Sequence, residues 1–115
     1  MNIKECYDKL GGDYEEVLGR LRSERIIQKF VLKFPGDGSY QLLLTSVKNE
    51  DWEEAFRAAH TLKGVCQNLG FTRLYRSISA MTELFRGGKR EEAVQMLPQV
   101  DEDYRVTVEA IAELS

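Results

Sequence analysis

Apolar side chains recur every three or four positions along nearly the whole chain, which is the spacing of amphipathic helices rather than of strands. The pattern predicts two short helices over residues 3–10 and 13–21 and a long helix over about 51–68. The other helical stretches are separated at glycine, proline or polar positions, and the last one contains Pro98, where a break or kink is expected. No strand, internal repeat or low-complexity tract is evident.

Several helix ends carry recognisable signals. Asp13, Ser39, Asp51 and Thr72 are candidate N-caps, because their side-chain oxygens can accept a hydrogen bond from the first helical turn. Gly70 suits the C-terminal cap of the long helix. The apolar stripe that precedes the first proline is expected to be buried, and it consists of Ile26, Ile27, Phe30, Val31 and Phe34.

Short connections between long amphipathic segments favour antiparallel neighbours. The sequence therefore predicts an all-α fold, namely an up-and-down antiparallel four-helix bundle with additional short N-terminal helices. Residues 1–22 would form an N-terminal helical extension and residues 23–115 the bundle, within a single domain overall. The 115 residues suffice for a hydrophobic core but not for a kinase with its own nucleotide site.

The only histidine, His60, lies beside the apolar stripe of the long predicted helix rather than within it. Arg57 lies one turn before it, and Gln67 lies two turns after it. Lys63 and Gly64 lie one turn after it, so all five residues share one strip of helix surface. An exposed imidazole offers a nucleophilic nitrogen that can take up and release a phosphoryl group. Lys63 can neutralise part of the roughly 1.5 to 2 negative charges that this group adds, and Gly64 leaves room for a close approach.

Taken singly, these residues also have ordinary explanations. A lone histidine on a helix is most often a surface residue without chemistry, and Arg57 and Lys63 are ordinary solvated charges. Gly64 also fits a close helix crossing, in which a neighbouring backbone rather than a partner protein needs the room. The functional interpretation therefore depends on the conjunction of these residues.

That conjunction resembles a known signature. The run AAHTLKG over residues 58–64, continued by NLG over residues 68–70, resembles histidine-containing phosphotransfer (HPt) domains, which relay phosphoryl groups between histidine kinases and response-regulator receiver domains. The resemblance includes the acidic and aromatic start at Asp51-Trp52 and a following amphipathic helix. It covers roughly residues 23 to 113.

The resemblance implies that His60 is the phosphorylated residue, with Lys63 as its charge partner and Gly64 as the residue that gives clearance. Gln67 and Arg57 would support the same site. The implied partners are a response-regulator receiver domain and a sensor or hybrid histidine kinase. No cofactor is expected in this chain, because the receiver domain would bring its own acidic Mg²⁺ pocket.

One position departs from the family pattern. Several members carry a glutamine on the next helix that hydrogen-bonds the imidazole, and this chain has Thr82 there, with Ser79 one turn earlier. Ser79, Thr82 and Thr61 are therefore candidate contacts of the imidazole or of a docked partner.

Composition and charge exclude several other classes of function. The net charge is −3, and the basic residues form no run interleaved with aromatics, so nucleic-acid binding is not expected. No apolar run approaches the ~20 residues that span a membrane, and the N-terminus lacks a signal-peptide pattern. Two cysteines, Cys6 and Cys66, fit a reducing compartment, and His60 with Cys66 gives too few ligands for structural zinc. We expect a cytoplasmic monomer without a metal site.

Our interpretation is a standalone HPt phosphocarrier that is a substrate and donor rather than an enzyme. Met1 favours a complete chain, and the alternative of a domain cut from a hybrid kinase stays open. The alternative is a helical adaptor or dimerisation module in which His60 is incidental. A third interpretation, a hydrolase with His60 as base, has no serine or cysteine nucleophile with an orienting acid nearby.

Overall fold

The computed structural model describes residues 1–114, whose regular secondary structure consists of α-helices and one short 3-10 turn at Phe34–Gly36. The predicted all-α class is therefore confirmed. The α-helices in chain order are α1 (Ile3–Leu10), α2 (Tyr14–Leu21), α3 (Glu24–Lys33), α4 (Ser39–Lys48), α5 (Trp52–Leu69), α6 (Thr72–Arg86), α7 (Arg90–Gln95) and α8 (Leu97–Leu114).

Helices α4, α5, α6 and α8 form the bundle. α5 packs along α4 on one side and along α6 on the other, and α8 packs against α6. Connections of two or three residues join α4 to α5 and α5 to α6, which makes these neighbours antiparallel. The bundle closes between α4 and α8, where the rings of Tyr40 and Tyr104 stack with centroids 4.0 Å apart. The Tyr40 hydroxyl also donates a hydrogen bond to the carboxylate of Asp101.

The two N-terminal helices share the hydrophobic core of the bundle. α1 packs against α8, and an ion pair of 2.7 Å between Lys9 Nζ and Glu113 Oε2 joins their surfaces. The inner face of α1 is at most 1% exposed, and it consists of Ile3, Cys6, Tyr7 and Leu10. Removal of this extension would therefore uncover apolar surface of α8.

Local capping chemistry sets several of the helix boundaries. Asp13 and Asp51 are N-caps as predicted, because each carboxylate accepts the backbone N–H three residues later. Gly70 is the predicted C-cap of α5, with a φ of 68° in the left-handed region. The predicted caps Ser39 and Thr72 are wrong, because each is the first residue of its helix and the residue before it provides no side-chain cap.

The expected break near Pro98 is confirmed, because α7 ends at Gln95 and α8 begins at Leu97. Pro98 is then the second residue of α8, where its missing N–H costs no intrahelical hydrogen bond.

The prediction that the whole apolar stripe of α3 is buried is wrong. Ile27, Val31 and Phe34 are at most 2% exposed, whereas Ile26 and Phe30 are 43% and 42% exposed. α3 lies at the edge of the bundle and packs with one face against α2, α5 and α8. Because its apolar stripe is wider than this contact, one edge of the stripe faces solvent.

Within residues 1–114, no helix has the length and apolar character that crossing a membrane requires.

Candidate functional site

The helix that carries His60 is held at both ends. At its N-terminus, the Asp51 carboxylate accepts the N–H of Glu54 at 3.2 Å. At its C-terminus, the buried Tyr7 hydroxyl donates to the Leu69 carbonyl at 2.6 Å. In the same turn, Arg20 Nη2 of α2 donates hydrogen bonds to the carbonyls of Gln67, at 3.1 Å, and Asn68. Its positive charge also complements the negative end of the helix dipole. These contacts give α5 a fixed position within the bundle.

His60 is exposed in the middle of α5, as the apolar pattern predicts. The opposite face of this helix is buried and consists of Ala55, Ala58, Ala59, Leu62, Cys66 and Leu69. The ring of Phe56, one turn earlier, lies with its centroid 5.9 Å from that of the imidazole. A partner can therefore reach the imidazole from outside the bundle.

Gly64 has no packing reason to be glycine in this fold. A Cβ placed on it would meet no atom within 4 Å outside its own helix backbone. The alternative of a close helix crossing is therefore wrong, because no neighbouring backbone occupies the space. Glycine within a helix costs about 1 kcal/mol relative to alanine. This cost is not offset by any contact within the residues that the structure describes.

Lys63 lies over the groove between α5 and α6. Its Nζ is 3.7 Å from Glu83 Oε2, and its side chain is 22% exposed. Glu83 also accepts hydrogen bonds from Arg86 Nε at 3.2 and 3.3 Å. The guanidinium carbon of Arg86 lies 5.0 Å from the centroid of the Phe56 ring, in cation–π geometry. This groove therefore brings together Phe56, Lys63, Glu83 and Arg86.

The other predicted support residues lie along the exposed strip of α5. Arg57 is exposed and forms ion pairs with Glu53 and Glu54, both at 3.1 Å, on the side away from Gly64. Thr61 is exposed and lines a shallow cleft together with Arg57 and Leu42 of α4. The strip is therefore continuous with the first turns of α4.

A larger open groove begins beside Gly64 and runs toward α2. Its volume is about 680 Å³, and Gln67, Arg20, Thr72 and Tyr75 are among its lining residues. The surface next to His60 is therefore concave on the C-terminal side, and Gln67 belongs to that concavity.

Two candidate contacts on α6 have different environments. Thr82 is fully buried, and its hydroxyl donates to the Ile78 carbonyl at 2.7 Å. The expectation that Thr82 contacts the imidazole or a docked partner is therefore wrong. Ser79, one turn earlier, is half-buried. Glu83, which follows Thr82 in the sequence, has a charged side chain that reaches Lys63 on the α5 strip.

The sequence analysis did not predict Phe56, Glu83 or Arg86 as residues of the site. The i, i+3 spacing of Glu83 and Arg86 indicates an ion pair on one helix face. It does not tell which residues of α5 that face meets, because the answer depends on the register between the two helices.

Neither cysteine offers a second nucleophile. Burial raises the pKa of the Cys6 thiol to about 11, and the Glu113 carboxylate adds to the effect. Burial also raises the pKa of the Cys66 thiol, with a further contribution from Asp37. Both groups are thiols rather than reactive thiolates near neutral pH.

The fold and the site define a helical bundle that presents one exposed histidine beside a lysine and an open glycine. Residues 13–113 match the model of the Hpt domain family, and the chain therefore belongs to that family. Domains of this family are histidine phosphotransfer modules of phosphorelays and act as phosphocarriers rather than as catalysts. The match begins at Asp13, the N-cap of α2. The resemblance that we inferred from the sequence began later, at about residue 23. Comparisons with curated proteins and with solved structures gave no significant match.

Proposed function

We propose that this protein carries a phosphoryl group on His60 between a sensor or hybrid histidine kinase and a response-regulator receiver domain. The observation that carries the proposal is Gly64, which lies mid-helix one turn from the exposed His60 with open space where its side chain would be. A partner surface that approaches His60 closely accounts for a glycine that no contact within residues 1–114 requires. We expect the carrier to act as a cytoplasmic monomer.

The transfer step needs little chemistry from this chain. The unprotonated ring nitrogen of His60 attacks the phosphorus of an aspartyl phosphate on the receiver domain, and an N–P bond forms. The P–O bond to the aspartate breaks, and its electron pair leaves with the carboxylate oxygen. The other ring nitrogen keeps its hydrogen, and the reverse reaction returns the phosphoryl group.

The residues around His60 have supporting roles in this proposal. Phosphoryl transfer passes through a loose transition state, for which in-line positioning and charge neutralisation are the main requirements. α5 provides the position, Lys63 provides one positive charge, and Gly64 and Gln67 form the surface that the partner covers. Mg²⁺ would come with the acidic pocket of the receiver domain, and the chain itself would need no cofactor.

The test is incubation with a phosphorylated receiver domain or a cognate kinase, followed by analysis of the label. The proposal requires a phosphoryl group that is acid-labile, base-stable and located on His60. If the wild-type protein takes up no such label from several competent donors, the phosphocarrier proposal is wrong.

A second candidate, an adaptor function, has support from α3. Ile26, Phe30 and Leu32 are each more than 40% exposed on this one helix. NMR chemical-shift mapping with an unphosphorylated receiver domain distinguishes the two candidates. The phosphocarrier proposal expects the largest changes around His60, Gly64 and Gln67, whereas a map centred on α3 with His60 unaffected favours the adaptor.

A further inference from the structure

The ammonium group of Lys63 already has an anionic neighbour in the unmodified protein. Lys63 Nζ lies 3.7 Å from Glu83 Oε2, which is within ion-pair distance but long for a hydrogen bond. The Lys63 side chain is 22% exposed, whereas that of Glu83 is 55% exposed. A phosphoryl group on His60 would therefore compete with a carboxylate for this lysine.

Glu83 has a second cation that remains available to it. Arg86 Nε contacts both carboxylate oxygens of Glu83, at 3.2 and 3.3 Å. The guanidinium group is in turn positioned over the Phe56 ring, 5.0 Å from its centroid. When Lys63 moves away, the Glu83 carboxylate therefore keeps an ion-pair partner on its own helix.

We propose that Glu83 is the resting counter-ion of Lys63, and that phosphorylation of His60 transfers Lys63 from Glu83 to the phosphoryl group while Arg86 retains Glu83. This inference rests on the proposed function and identifies a positioning residue that acts through Lys63. The compact ammonium on its flexible stem suits such an exchange, because it needs no fixed geometry. The phosphoryl group carries more charge than a carboxylate and competes effectively for the lysine.

The exchange has a functional consequence. Glu83 stabilises the unphosphorylated state by its interaction with Lys63, and it therefore weakens the net stabilisation that Lys63 gives to phosphohistidine. Glu83 thus favours release of the phosphoryl group to the next acceptor. A carrier requires this balance, because it must donate as well as accept.

The principal test is Glu83→Gln, which removes the charge and keeps the size of the side chain. The measurements are the equilibrium constant for transfer between a receiver domain and His60, and the hydrolysis rate of phosphohistidine. We expect the equilibrium to move toward phosphorylated His60 by about two- to five-fold, the range for an exposed ion pair, and hydrolysis to slow. Both effects should shrink at high salt.

Glu102→Gln is the matched control. Glu102 of α8 pairs with Arg105 at the same i, i+3 spacing as Glu83 with Arg86, and its side chain is 47% exposed compared with 55% for Glu83. This variant should leave the transfer equilibrium and the hydrolysis rate at the wild-type values. An equal shift in the control would assign the effect to net charge rather than to Glu83, and would overturn the inference.

The Lys63→Ala background tests the route of the effect. If Glu83 acts through Lys63, then Glu83→Gln should change the equilibrium little once Lys63 is absent. A full effect in the Lys63→Ala background would mean direct repulsion between Glu83 and the phosphoryl group, and the exchange would be refuted. These results are distinct from a failure of the proposed function, in which wild-type His60 takes up no label at all.

Discussion

The exposed faces of α5 and α3 both differ from an ordinary polar helix surface, but in opposite ways. On α5, the surface around His60 is small and polar, with a glycine that leaves open space. On α3, the surface is apolar and basic, because Ile26, Phe30 and Leu32 are exposed together with cations. Within residues 1–114, none of these cations forms an ion pair, and they are Arg25, Lys29 and Lys33.

Because of this difference, the two surfaces suit two different kinds of contact with a partner protein. A single reactive atom with cleared space beside it suits a brief, geometrically defined encounter in which a group is transferred. A basic and apolar face suits contact with an acidic partner surface over a wider area, and it requires no particular atom to be reached. The His60 surface is therefore the one where single substitutions should have large effects on transfer.

The largest effect is expected for His60→Gln. This substitution removes the acceptor nitrogen, and phosphoryl uptake should fall to the background of the assay. Because His60 is exposed, the free energy of unfolding should change by less than about 0.5 kcal/mol. Denaturant unfolding checks the stability, and label retained by the variant would identify another acceptor.

A smaller but still large effect is expected for Gly64→Gln. The new side chain would extend into the open space beside His60, so that transfer from a receiver domain should slow by about ten-fold or more, a barrier increase of about 1.4 kcal/mol. Stability should rise by up to about 1 kcal/mol, because glutamine has a higher helix propensity than glycine.

Gly19→Gln provides the matched control for that variant. Gly19 lies within α2, and a Cβ placed on it would also meet no atom within 4 Å. The control should gain similar stability and transfer at the wild-type rate. If Gly64→Gln also transfers at the wild-type rate, the surface beside Gly64 is not the docking surface.

The comparison also explains how far the sequence alone could predict the molecule. The boundaries of α5 follow from local chemistry, since Asp51 caps one end and Gly70 adopts a left-handed conformation at the other. Ser39 and Thr72 have the same capping chemistry in sequence, yet neither is an N-cap. At Ser39, the carboxylate of Asp37 accepts the backbone N–H at 2.8 Å, which is a competing local interaction.

The incorrect predictions for the site and for α3 have a tertiary cause. Thr82 and Glu83 are adjacent in sequence and therefore differ by about 100° around α6, and only the register of α6 against α5 decides which one faces Lys63. Similarly, Ile26 and Ile27 are adjacent, and only the width of the contact between α3 and its neighbours decides which one is buried. Periodicity gives the apolar face of a helix but not the extent to which another element covers it.

A moderate effect is expected for Lys63→Ala. Loss of the ammonium group should shorten the lifetime of phosphohistidine by about two- to five-fold, which is the order of magnitude for a charge interaction at the protein surface. The difference from wild type should decrease as the ionic strength rises. Hydrolysis rates measured at low and high salt check this, and a difference that does not depend on salt would contradict an electrostatic role for Lys63.

The smallest effect is expected on the exposed apolar surface of α3, for Phe30→Ser. Phe30 is 42% exposed, so replacement by a polar residue should change the free energy of unfolding by less than about 0.5 kcal/mol. Ile27→Ala on the buried face of the same helix should cost about 2–5 kcal/mol, because Ile27 is fully buried and its truncation leaves a cavity. Urea unfolding of the two variants measures this contrast. Similar losses in both would mean that Phe30 contributes to the core, and the apolar surface of α3 would then need no partner to explain it.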